Sequence, residues 1–241
     1  MKNRKPIGRG VFALVAVTAG LCAAPPALAG EAAKGPNADP GKRGSSPSTE
    51  AVAQAALGDQ VARHADRNKD VLVMIAAVRL LSQAGPRPAK PEMRTEGKPK
   101  AAESKGGSAA RDTTLAALLA RAKQYAGGRN DLNGLVDELA QSAAKARQGG
   151  PGRFASRIGD GITDVYTMTF RANEPVMVAI TGEGVSDLDL TVEDEAGNRI
   201  CASHGPRDDE ICHWTPRWTG AFRIRVRNLG AVTNEYRLWS N

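Results

Sequence analysis

Aromatic residues make up only 4% of this 241-residue chain, too few to spread a packed core along its whole length. No apolar run reaches the roughly 18 residues that span a bilayer, which excludes a multi-span membrane protein. Collagen-like glycine periodicity and sustained heptads are also missing. There are three histidines and no His-Glu-x-x-His, so a zinc hydrolase of that kind is excluded. The chain has no Gly-x-Ser-x-Gly elbow, no Gly-Lys-Ser/Thr phosphate loop and no dinucleotide fingerprint. With no catalytic constellation, the sequence reads as a non-enzyme. What it has in quantity is 26 Gly and 14 Pro, together with a formal net charge of +7.

The first 29 residues read as a secretory signal peptide. Lys2, Arg4, Lys5 and Arg9 form a basic start, Val11 to Ala24 is apolar, and Pro25-Pro26 breaks it. Ala27-Leu28-Ala29 is a small-x-small cleavage site, with Gly30 as the expected first mature residue. Leu21 before Cys22 does not fit a lipobox. The expected localisation is periplasmic or secreted, with no transmembrane segment left after cleavage. Removing the leader lowers the net charge to +3 and leaves Cys201 and Cys212 as the cysteines. An even count in an exported chain points to a disulfide.

Residues 30–48 lack large apolar side chains, so burial cannot offset their ordering entropy and they are expected to be disordered. Residues 85–111 have the same character, with Pro86, Pro88, Pro91 and Pro99 among Lys, Gly and Ser, and read as a disordered linker. Helical patterns flank it. Residues 49–84 form one expected hairpin, with Asp70 as N-cap of the second helix and Gly85-Pro86 as the stop. Residues 112–148 form another, with Asp112 as cap and stripes of Leu115, Leu118, Leu119 and then Leu132, Leu135, Val136, Leu139. Each pair is too small for a sizeable core of its own, which leaves packing on each other, on the C-terminal domain or on a partner as the alternatives.

From residue 151 the texture changes. Eight of the nine mature aromatics lie here, all ten basic residues are Arg, and thirteen acids bring the region to −3. Residues 30–150 carry +6. Alternation marks strands at Val165–Phe170, Pro175–Thr181, Asp187–Val192 and Phe222–Arg227, with turns at Gly182-Glu183-Gly184, Glu195-Ala196-Gly197-Asn198 and Asn228-Leu229-Gly230. Seven or so short strands at this spacing predict an antiparallel β-sandwich. Cys201 and Cys212 are symmetric about Gly205-Pro206-Arg207-Asp208, so a hairpin turning there is expected to set them opposite each other as a disulfide.

Residues 160–241 resemble the bacterial pre-peptidase C-terminal domain family. The resemblance is carried by Asp164-Val165-Tyr166, Asp187-Leu188-Asp189-Leu190, Glu195-Ala196-Gly197-Asn198, Gly220 through Val226, and Tyr236-Arg237-Leu238. It implies a jelly-roll-like β-sandwich, usually attached to secreted peptidases, that serves secretion, substrate binding or surface binding; some members bind calcium. No peptidase domain precedes it here, so that activity does not transfer. The fold class is thus a mainly β C-terminal domain, an antiparallel jelly-roll-like sandwich, after an α-helical and partly disordered region.

No cofactor is implied except calcium, for which Asp187, Asp189 and Asp194 are the hard-oxygen candidates near one turn. Trp214 and Trp218 with Arg223 and Arg225 form a candidate binding surface, since aromatics beside Arg are common interface anchors. The expected partner is an envelope or extracellular protein or glycan. Nucleic acid is not expected, because no basic-aromatic platform is present. The functional reading is an exported, non-enzymatic binding or assembly module. The alternative is an accessory, pro-domain-like partner of a secreted hydrolase.

Overall fold

The computed structural model describes residues 35–39, 41–42, 44–98, 111–144 and 149–241. The signal-peptide reading of residues 1–29 therefore lies outside the described residues. Residues 34–241 form one unit. Its elements are α1 (Pro47–Asn68), α2 (Val71–Ala84), β1 (Arg87–Pro88), β2 (Glu92–Glu96), α3 (Leu115–Ala126) and α4 (Asn130–Ala144), followed by eight further strands. These are β3 (Gly152–Ile158), β4 (Thr163–Phe170), β5 (Val176–Thr181), β6 (Leu188–Asp194), β7 (Arg199–Ser203), β8 (Asp209–Trp214), β9 (Gly220–Asn228) and β10 (Asn234–Ser240). Among the described residues, no helix is long and apolar enough to cross a membrane.

Two five-stranded sheets form a sandwich. One runs β1-β3-β10-β5-β8 and the other β2-β4-β9-β6-β7. All pairings are antiparallel except β1 with β3. The inner faces meet over Tyr166, Val178, Leu190, Trp214, Phe222, Ile224 and Leu238. Phe170, Trp214 and Phe222 pack their rings at 5.3 to 5.8 Å, the separation range of favourable aromatic pairs.

The expected disordered linker contributes an edge strand to each sheet. Arg87 and Pro88 pair with Gly152 and Arg153, and Glu92–Glu96 pair with Thr167–Thr163. Proline blocks a helix interior or a central strand, but an edge strand needs hydrogen bonds on one side only. Pro88 and Pro91 are thus compatible with order here. Part of this linker, residues 99–110, lies outside the described residues.

The helices start and stop where side chains satisfy their ends. Ser46 caps α1 in a reciprocal box with Thr49, and Pro47 fills the first turn. The Asp70 carboxylate accepts from the amides of Leu72 and Val73, and Gly85 ends α2 at φ 62°. Thr114, rather than the expected Asp112, caps α3; Asp112 instead accepts the Thr114 amide at 2.8 Å. The α1–α2 crossing is close at Gly58, where a Cβ would stand 2.8 Å from Leu81 Cγ.

The two helix pairs pack on each other and on the C-terminal sandwich, two of the alternatives that the sequence leaves open. A single apolar cluster joins Val52, Met74, Val78, Leu81, Leu118 and Val136 to Ala179 of β5 and Trp239 of β10. The β1-containing sheet is therefore covered on both faces. That explains the nearly continuous apolar run Val176-Met-Val-Ala-Ile in β5, a pattern of two-sided burial. The opposite sheet keeps alternation in its β6 and β9 strands. In β6 and β9, one row is buried and the other carries Asp189, Thr191, Glu193, Arg223, Arg225 and Arg227.

Candidate functional site

At one end of the sandwich both sheets finish in an edge strand, β7 in one and β8 in the other. Cys201 and Cys212 join these strands, with a Cα–Cα distance of 5.8 Å. The disulfide is present as expected, but the hairpin is not. β7 pairs with β6, and β8 pairs with β5 in the other sheet. The symmetric Gly205–Asp208 segment is a crossover between layers, so the bond staples sheet to sheet.

A cleft of about 760 Å³ opens over this staple. Ile200, Cys201, Ala202 and Ile211 give it an apolar strip, and Ile211 is 44% exposed. Arg199, Arg217 and His213 stand along it. Trp214 lies at its base, 3% exposed, with its indole Nε1 buried and unpartnered. Neither arginine is ion-paired among the described residues.

The remaining wall comes from Pro36, Ala38 and Asp39, in a stretch expected to be disordered. Residues 35–39 instead form a docked arm. Asn37 is fully buried, and its Oδ1 accepts from the amides of Arg217 and Trp218, both at 3.0 Å. Its Nδ2 donates to the Trp218 carbonyl at 3.0 Å. Asp39 N donates to Thr215 O at 3.0 Å. Farther along, the Gly44 carbonyl lies 3.0 Å from His213 Nε2. One buried polar side chain, with three hydrogen bonds, and the small apolar contact of Ala38 with the sandwich core thus hold this segment.

Asp194 secures the arm from below. Its Oδ2 accepts from Asn37 N at 3.0 Å and Asn198 Nδ2 at 2.9 Å, and its Oδ1 from the amides of Ala196 and Asn198. Burial alone would push its pKa up, but these bonds win and hold it below the usual aspartate value. Asp194 is on the buried row of β6 and Asp189 on the outer row. Five residue steps along the strand separate them, about 16 Å of rise. The three expected calcium ligands therefore do not converge. Among the described residues, no group of three or more His, Cys, Asp or Glu side chains is placed to hold a metal ion. Asp189 stands in a different place, where burial raises its pKa and Asp187 and Glu210 add to the effect against His204 and Arg227.

The expected binding surface of Trp214, Trp218, Arg223 and Arg225 is divided in three. Trp214 is core. Trp218 is half-buried on the arm-binding loop, its Nε1 donating to Glu195 Oε1 at 2.6 Å. Arg223 and Arg225 lie on the outer face of the second sheet, paired with Glu193 at 3.5 Å and Glu96 at 2.7 Å. The Arg225 and Arg94 hydrogen bonds hold Glu96 below its usual carboxylate pKa. This face carries a polar groove of about 520 Å³ that also includes Thr191, His204 and Arg227. Arg199 lines both this groove and the cleft. The cleft-forming roles of Arg199, Ile211, Arg217 and Asn37 were not anticipated. Exposed Ile211 breaking the polar row of an edge strand was the one local signal.

No family model matches the chain, and no curated protein matches it. Solved structures give partial likenesses. The pre-peptidase C-terminal domain of a collagenase from Bacillus anthracis is 16% identical, over 38% of this chain and 89% of that one, with a TM-score of 0.32. PliG, a periplasmic inhibitor of g-type lysozyme from Aeromonas hydrophila, is 14% identical over 38% and 84%, with a TM-score of 0.31. The carbohydrate-binding module CBM36, solved with calcium and xylotriose, is 10% identical over 36% and 87%, with a TM-score of 0.25. Each likeness covers less than half of this chain.

Proposed function

We propose that this chain is an exported, non-enzymatic binding module, and that the cleft over the Cys201–Cys212 staple is where it holds its partner. The carrying observation is that cleft: a concave, mixed apolar and cationic seam built on rigid strands. Its cysteine is committed to the disulfide, so it offers no thiol nucleophile. Export is supported by the leader pattern and by a structural disulfide, a bond that persists in oxidising compartments.

The test is binding by the mature chain, residues 30–241, to peptide and glycan arrays. Ile211→Asp leaves a half-exposed position soluble while placing a charge in the apolar strip. Ligands retained by the native chain and lost by Ile211→Asp support the cleft. Ligands held equally by both would overturn it. Export is checked by the N-terminus of the native protein, expected at Gly30.

A further inference from the structure

Charge narrows what the cleft can hold. The region from residue 151 carries a net −3, yet two exposed guanidinium groups, Arg199 and Arg217, stand in this one cleft without an ion-pair partner among the described residues. Asp39, the acid in the cleft wall, forms no ion pair with either arginine. Asp39 accepts from Gly41 N at 3.0 Å and faces Lys42 at 3.8 Å. Unpaired guanidinium forks favour carboxylates, which they bind in bidentate fashion.

The backbone narrows it further. Among the described residues, both strands that border the cleft are sheet edges, hydrogen-bonded to a neighbouring strand on one side only. Such an edge is a template for another extended chain. The rim already accepts one: the arm lies against it through Asp39 N and Thr215 O, just past the end of β8, and through Asn37 on the Arg217 and Trp218 amides.

We infer that the cleft binds an extended, acidic peptide segment, its backbone along the free edge of β8 and its carboxylates on Arg199 and Arg217. The inference rests on the cleft being the binding site, as proposed above. An apolar residue of the segment covers Ile211, and alternate acidic residues reach the arginines, as the two-residue repeat of a strand requires.

The experiment uses the oxidised mature chain and fluorescence anisotropy with short labelled peptides of alternating Val and Glu, their Val and Lys counterparts, and oligogalacturonate as a non-peptide polyacid. The Val-Glu peptide is expected to bind, and to weaken with added salt. Arg199→Glu or Arg217→Glu is expected to weaken it roughly tenfold, and the double reversal to shift preference to the Val-Lys peptide. Equal binding of both peptides, or no effect of the reversals, overturns the inference. So does self-association of Arg199→Ser or Arg217→Ser with peptide preference unchanged, which would make the arginines guards of the edges only. Oligogalacturonate binding that Ile211→Asp abolishes, without peptide binding, overturns the peptide assignment and keeps the cleft. Binding indifferent to Ile211→Asp removes the cleft itself.

Discussion

Asn37 shows how one side chain orders a stretch that composition marks as unstructured. Asn37→Ala leaves the Arg217 and Trp218 amides without their acceptor. It is expected to cost the docked arm about 2 kcal/mol, read as lost hydrogen-exchange protection at those two amides. A second buried group sets an alkaline limit. Burial pushes the Tyr166 phenol up to about 12, helped by the charge of Asp164; Tyr236, hydrogen-bonded to Tyr166 and to Asp164, is also raised. A raised folded-state pKa contributes stability that is complete below the unfolded value, about 10, and is lost as pH rises toward 12. Unfolding is therefore expected in that window. Phenolate absorbance from these two tyrosines should appear together with loss of circular dichroism, not before it. Neither residue's role was legible in the sequence. Asn37 has no local pattern, and Tyr166 showed only that it faces inward.

Helix α1 lies on the β1-containing sheet through a buried charge network rather than through apolar contact alone. Asp59, fully buried, accepts from Thr181 Oγ1 at 2.7 Å and from Arg111 at 3.3 Å. Arg63 donates to Gly182 O and pairs with Asp209, and Arg111 reaches Asp66 and Glu183, each at 3.2 Å. Arg237, also fully buried, pairs with Glu183 and with Glu235. Removing one member strands the others in a medium that penalises bare charge. Asp59→Ala is thus expected to destabilise the protein by about 3 kcal/mol in urea unfolding, with Asp59→Asn milder. The helices themselves were legible, because capping and period are local. Their docking was not, because Asp59, Arg63 and Arg111 look like ordinary solvated charges until a sheet covers them.

For the whole molecule, the disulfide closes a loop of sequence separation 11 across the seam. The Cys201→Ser/Cys212→Ser variant is expected to lose about 3 kcal/mol, with the same loss on reduction of the native chain, both measured in urea. The reversal variants of the cleft should be compared only in the oxidised form. The sandwich is also expected not to fold when cut at residue 151. Residues 151–241 alone lack β1 and β2, and uncover Ala179 and Trp239, both fully buried in the intact chain. That fragment is expected to aggregate or to show no cooperative thermal transition, whereas the chain from Gly30 unfolds in one step by circular dichroism.

What the sequence determined by itself is what short-range physics fixes. Strand alternation in β6 and β9 and the Asp70 and Gly85 helix ends follow from period and capping. Tertiary structure decided which layer each strand joined, and therefore that Cys201 and Cys212 face each other across two sheets and not across a hairpin. It also decided that Pro88 lies in one edge strand and Pro91 just before another, that Trp214 is core, and that Asn37 is buried. These outcomes depend on partners far apart in the chain, such as Asn37 with Asp194, and no local window contains both halves of such an interaction.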